Sequence, residues 1–338
     1  MSDPFSVVVT SISAPNQSLR DLASGCRRHG GRFYVIGDEA SPRDFSLDGC
    51  RFSSIEAQRA TGFEFARQCP LRHYARKNIG YLLAIRDGAR VIVETDDDNI
   101  PRETFWNTRR RIHHAPLLEG SGWTNVYRFF AETRIWPRGL PLDTIRTRLP
   151  ELGSLPVREV DCPIQQGLAD DNPDVDAVYR LLMPLPQSFQ TGRKVALSRG
   201  AWCPFNSQNT TWFPDAYPLL YLPAHCSFRM TDIWRGFVAQ RIAWANGWSL
   251  LFDQPTVRQE RNEHDLMRDF SDEVPGYLNN RKIGRELDGL ELAPGVEMIP
   301  DNLGVCYQKL VSMGLVGAPE LALLDAWLRD LKLARRGE

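Results

Sequence analysis

The 338-residue chain is most easily bounded by what it lacks. Its seven cysteines (Cys26, Cys50, Cys69, Cys162, Cys203, Cys226 and Cys306) are scattered, odd in number and never spaced as CxxC or another zinc pattern. Neither a disulfide framework nor a zinc site follows, and reduced, mostly buried thiols in a cytoplasmic protein are expected. No apolar run approaches the about 20 residues that span a bilayer, so no transmembrane segment is expected. Residue 5 already enters a strand-like run without a basic region and an apolar stretch ahead of it, so no signal peptide is expected either. A formal net charge of -1 leaves no excess of basic residues for a nucleic-acid groove or a polybasic membrane patch. The basic run Arg109, Arg110 and Arg111 reads as a solvated helix face. No glycine-rich phosphate loop with a basic residue follows the first strand, which argues against a nucleotidyltransferase.

What is present is ordinary globular composition, 42% hydrophobic and 25% charged, with one unusual run. Residues 91–95 (VIVET) read as a buried strand, and Asp96, Asp97 and Asp98 follow it directly, with Pro101 to stop the strand. Three adjacent carboxylates repel one another, and a fold seldom gathers them without a cation to neutralise them. The ends of strands in open α/β sheets are also where ligands sit. A divalent-metal site is therefore the preferred reading over an acidic surface turn.

The surrounding pattern fixes the fold class. Strands are expected over residues 5–12 and 32–38, with helices from about Ser18, over about 54–68 and over about 72–87. This alternation predicts an α/β fold with a Rossmann-like, mostly parallel sheet flanked by helices. Beyond residue 100 short strand-like runs such as 125–130 alternate with proline- and glycine-rich turns, then helices are expected over about 232–248 and 318–334. The expected organisation is a nucleotide-binding half over 1–130, a mixed α+β acceptor half of the same domain over 131–300, and a C-terminal helical segment over 301–338.

Several segments carry a resemblance: 80–85 (GYLLAI) running into 93–99 (VETDDDN), 136–139 (WPRG), 165–168 (QQGL) and 173–177 (PDVDA). Others are 204–210 (PFNSQNT), 232–236 (DIWRG) and 260–264 (ERNEH). Together they resemble the glycosyltransferases of GT-A fold, and more closely the STELLO family. The resemblance implies a nucleotide-sugar site, UDP- or GDP-linked, with Mn²⁺ or Mg²⁺ and a saccharide or glycoconjugate acceptor. It further implies that Asp96 lies towards the ribose with Asp97 beside it. Asp98, with Asp96 and the late His264, would hold the metal. Thr10, Ser11 and Ile12 would line the base through backbone groups. Asp38 would meet base or ribose, or serve as a turn cap.

Arg76 and Asn78 resemble the ARNxG segment of many GT-A enzymes, from which the extra Lys77 departs. Asp232, at the start of a helix, is the candidate catalytic base, with the N-cap as its bland alternative. Because a free aspartate side chain titrates near pH ~4, such a base needs a raised pKa or a strongly positioned acceptor. Arg235 would pair with Asp232 or hold a phosphate. Asn206, Gln208, Asn209 and Trp234 are candidates for the sugar and acceptor, with packing on the core as the alternative. The adjacent His113 and His114 read as surface residues. Glycosyl transfer to a hydroxyl is the first reading. A nucleotide-sugar mutase and a non-catalytic transferase-like scaffold are its rivals.

Overall fold

A computed structural model describes residues 5–261 and 265–337. In chain order its strands and helices are β1 (Phe5–Thr10), α1 (Gln17–Arg28), β2 (Arg32–Ile36), β3 (Arg51–Ser53), α2 (Ile55–Arg59), α3 (Glu64–Gln68), α4 (Lys77–Arg86), β4 (Val91–Thr95) and β5 (Asn99–Pro101). The second half contributes β6 (Ile112–Leu118), β7 (Gly122–Trp123), β8 (Val157–Asp161), β9 (Ile164–Asp170), α5 (Ala177–Leu182), β10 (Lys194–Leu197), β11 (Ala201–Trp202), β12 (Asn209–Trp212) and α6 (Thr231–Ala245). It closes with β13 (Leu250–Gln259), α7 (Leu266–Asp288), α8 (Ile299–Ser312) and α9 (Glu320–Arg336).

The central sheet runs β3-β2-β1-β4-β12-β9-β13-β10-β6-β8, with β5 paired to β13. Its first four strands are parallel. β12 then enters antiparallel to β4, and the strands beyond it mix both directions. The chain is thus an α/β protein with a Rossmann-like parallel first half and a mixed second half.

Both faces of the parallel strands are covered, so residues 7–9 of β1 and 91–93 of β4 are apolar without alternation. Val8 and Ile92 face the large core beneath α4, α6, α8 and α9, while Val7, Val9, Val91 and Val93 face α1. Helix α4 lies hard against the sheet because Gly80 lacks a side chain. A Cβ there would stand 2.5 Å from Val8 Cγ1 and 2.8 Å from Ile36 Cγ1. The C-terminal helices close this layer. Trp327 of α9 meets Phe65 edge-on, and Asp330 accepts the Phe65 N–H at 2.7 Å.

Three local expectations are corrected. The 54–68 segment is two short helices rather than one, broken at Gly62, where φ is +86°. The strand expected over 125–130 is a 3₁₀ turn, Val126–Phe129, whose Val126, Tyr127 and Phe129 are all buried; apolar content alone misreads such a segment. Arg109, Arg110 and Arg111 form no helix face. Arg109 lies between the Phe5 and Phe105 rings, and Arg111 pairs with Asp161 and Asp215. All seven cysteines are free and buried or half-buried, and among the described residues no helix is long and apolar enough to cross a membrane.

Candidate functional site

The ends of β1 and β4 open into a cavity of about 790 Å³. Volumes of roughly 300–1,000 Å³ are usual for small-molecule sites. Asp96, Asp97 and Asp98 form the turn from β4 into β5, so Pro101 ends β5 and not the strand that delivers the acids.

Each acid has a different partner. The Asp97 carboxylate accepts a short hydrogen bond from the Ser11 hydroxyl, and its backbone carbonyl accepts from Asn16 Nδ2 at 2.7 Å. This ties the turn to the loop after β1. Asp96 Oδ1 accepts from the Tyr74 hydroxyl at 2.9 Å and from Lys77 Nζ at 3.0 Å. Both Asp98 oxygens accept from Gln259 Nε2 on β13, at 3.1 Å each. Burial and then the neighbouring Asp96 charge push the Asp98 carboxyl up to about 7, against the smaller opposing pull of Gln259.

The opposite wall is an ion-pair cluster. Arg138 Nε and Nη2 bond Asp174 at 2.8 and 2.9 Å, while Nη2 meets Asp232 Oδ2 at 3.0 Å. Asn206 Nδ2 donates to Asp174 at 2.7 Å, and the backbone N–H and hydroxyl of Ser207 both reach Asp232 Oδ2 at 3.2 Å. The Ser207 hydroxyl also meets Tyr74 at 2.7 Å, which joins this wall to Asp96. Burial alone would raise the Asp232 carboxyl, but the Arg138 guanidinium outweighs it and holds Asp232 well below the usual carboxylate range.

The cavity brings together Thr10, Ser11, Ile12, Asp38, Arg76, Asp96, Asp97, Asp98, Gln208 and Asp232. Several of them have other tasks as well. Asp38 organises a loop: its oxygens accept the backbone N–H groups of Glu39, Arg72 and His73 at 2.7–2.9 Å. Arg76 spends its guanidinium on Gln58 Oε1 and the Cys69 carbonyl. Asp232 lies in the first turn of α6 rather than at its N-cap, where Met230 supplies no side-chain bond.

Five candidates stand elsewhere. Asn78 clamps the Leu222 backbone reciprocally at 2.9 Å. Arg235 forms a buried pair with Glu94 and lies over the Trp212 ring, so the expected Arg235–Asp232 pairing is replaced by Arg138–Asp232. Trp234 is buried and donates to Asn280, and Asn209 bonds Leu168 O and Thr256. Asn206 is buried behind the wall as a support for Asp174. His264 lies outside the described residues. Sequence reading missed His73, Tyr74, Arg138, Asp174, Phe228, Arg229, Gln259 and Arg261, all of which line the cavity. The WPRG and PDVDA segments held a signal for two of them, since Arg138 is the charge of the first motif and Asp174 one of the two acids of the second.

A family model described as STELLO glycosyltransferases matches residues 229–336. Two Arabidopsis thaliana relatives align over more of the chain. "Probable glycosyltransferase STELLO2" is 31% identical over 296 residues, which cover 81% of this chain and 38% of that protein. "Probable glycosyltransferase STELLO1" is 30% identical over 272 residues, covering 75% and 35%. The chain belongs to the STELLO family. It spans little more than a third of the length of these relatives. A solved structure titled "Crystal Structure of a Mycobacterial Protein" aligns at 12% identity over 83% of this chain and 75% of that one, with a TM-score of 0.42.

Among the described residues no group of three or more His, Cys, Asp or Glu side chains is arranged to hold a metal ion. The donor chemistry around Asp98 nevertheless suits a hard cation. Its half-buried carboxyl stands beside two other acids with an amide as its side-chain hydrogen-bond partner and the Arg261 charge nearby, and the buried Gln259 Oε1 has no hydrogen-bond partner among the described residues.

Proposed function

We propose that this STELLO-family chain transfers a sugar from a UDP- or GDP-linked donor to a hydroxyl on a saccharide or glycoconjugate. The observation that carries the proposal is the cavity itself, with an acid turn at the strand ends on one side and a fixed guanidinium–carboxylate pair on the other. Thr10, Ser11 and Ile12 border the end suited to a nucleobase, and Asp96, Asp97 and Asp98 border the diphosphate end. Asp98, with Asp96, would hold Mn²⁺ or Mg²⁺. A bound divalent cation supplies Lewis-acid stabilisation of the charge that accumulates on the departing nucleoside diphosphate.

The chain's own groups supply orientation and the proton acceptor. Arg138 holds Asp232 ionised and fixes its direction, with Ser207 contributing two further donors. Asp232 accepts the hydrogen bond of the acceptor hydroxyl. So strongly stabilised a carboxylate is a weak base towards a neutral alcohol. It takes the proton late, once bonding to the sugar carbon has made the attacking oxygen acidic. Of the two routes open to such an aspartate, this is the positioned acceptor and not the raised pKa.

A thermal-shift panel of UDP- and GDP-sugars, with and without Mn²⁺, tests the proposal. A true donor at 100 times its Kd should stabilise the protein by roughly 2.7 kcal/mol. Silence across the whole panel in both conditions would reject the donor site.

A further inference from the structure

Lys77 interrupts the ARNxG-like segment, and its side chain has a specific destination. It opens α4 with 0% side-chain exposure. Its Nζ lies 3.0 Å from Asp96 Oδ1, 2.6 Å from the Tyr74 hydroxyl and 3.2 Å from the Ser207 carbonyl, which uses all three ammonium protons. The same Nζ stands 4.8 Å from the centroid of the Tyr74 ring. Asp96 is its carboxylate partner, whereas the side-chain partners of Asp97 and Asp98 are the neutral groups of Ser11 and Gln259. One acid of the three is therefore neutralised from beneath by the chain itself.

We propose that Lys77 is a built-in counter-cation for the acid turn: a positioning residue that sets the net charge of the donor site and lowers its demand for a divalent ion. This deepens the donor-site reading and rests on it. A fixed ammonium in the floor raises the electrostatic cost of an incoming divalent cation while holding Asp96 aligned through Tyr74. An arginine could not replace it simply, because three converging bonds from one point charge suit an ammonium and not a planar fork.

The test is Mn²⁺ binding by calorimetry and thermal shift to wild type, Lys77→Met and the double variant Lys77→Met/Asp96→Asn. Methionine keeps the length and removes the charge. Lys77→Met should bind Mn²⁺ at least about tenfold more tightly than wild type, while melting lower without metal. The double variant removes both charges and should lose the gain. Equal Mn²⁺ affinity in wild type and Lys77→Met overturns the inference and leaves the donor site standing. Silence to Mn²⁺ in all three proteins overturns the inference together with the metal reading of the site. A response in Lys77→Met alone supports the counter-cation and removes metal dependence from the wild type. Should Lys77→Met fail to fold, a folded double variant supports neutralisation as the role of Lys77. An unfolded double variant shows that Lys77 serves packing and overturns it.

Discussion

The two walls of the cavity are built by opposite means. On the β1–β4 side the chemistry sits in three consecutive residues, and two of the three carboxylates have only neutral side-chain partners. On the far side Arg138, Asp174, Asn206, Ser207 and Asp232 converge from separated segments into a network in which one guanidinium bridges two carboxylates and neutral donors bond both. The first wall has acid to spare for a ligand. The second is satisfied internally, which suits a surface that positions a substrate.

Stability should separate them most strongly. Arg138→Met strands Asp174 and Asp232 as buried, unpaired carboxylates and should cost about 3–5 kcal/mol in urea unfolding. Asp98→Ala removes a carboxyl from a like-charged turn, so the protein without metal should lose no stability. Equal losses in the two variants would erase the distinction.

Activity gives the next largest effect. Asp232→Asn keeps an oxygen for Arg138 and Ser207 but removes the proton acceptor. Transfer at saturating donor should fall at least ~100-fold, with donor binding nearly unchanged. Unchanged turnover in the folded variant would make the second wall purely structural and would favour a retaining or mutase-type reaction.

The contrast also explains what could be read from the sequence. Asp96, Asp97 and Asp98 announce themselves because like charges are adjacent and follow an apolar β-branched strand. The parallel half was equally plain, since β1, β2 and β4 alternate with helices at the usual spacing. Arg138 was hidden because its partners lie 36 and 94 residues away, and no local pattern pairs it with Asp232 rather than leaving that to Arg235. Arg235 instead lies under the sheet with Glu94, where its neighbour Trp234 is also buried. Lys77 looked like an interruption of a motif because its Asp96 contact bridges two separate elements. Sequence spacing identifies a face of a helix but not which charge waits across it.

A smaller, pH-dependent effect sharpens the border between the walls. His73 lines the cavity, and its Nδ1 accepts the Ala75 N–H at 3.0 Å, which fixes the neutral ring. Burial, assisted by His225, lowers its pKa to about 4 despite Asp38. The unfolded chain therefore binds this proton first on acidification. The stability linked to neutral His73 is fully present above pH ~6.5 and is lost as pH falls towards 4. His73→Gln should flatten the decline in Tm across that window by the equivalent of about 1–2 kcal/mol, after allowance for partial solvent screening. Identical pH profiles would place His73 outside the folded-state titration. The smallest effect belongs to the outer rim. The exposed Arg72–Glu39 pair should be worth under about 0.5 kcal/mol, so Arg72→Ala should leave Tm almost unmoved.

The most direct measurement is calorimetric titration of UDP and GDP, with Mn²⁺, into wild type and Asp98→Ala. Metal-dependent nucleotide binding should be clear in the wild type for one of the two nucleotides. It should be absent in the variant, whose urea midpoint without metal stays at or above that of the wild type. Wild-type affinity in Asp98→Ala would contradict the assignment of the acid turn as the metal and diphosphate side of the site.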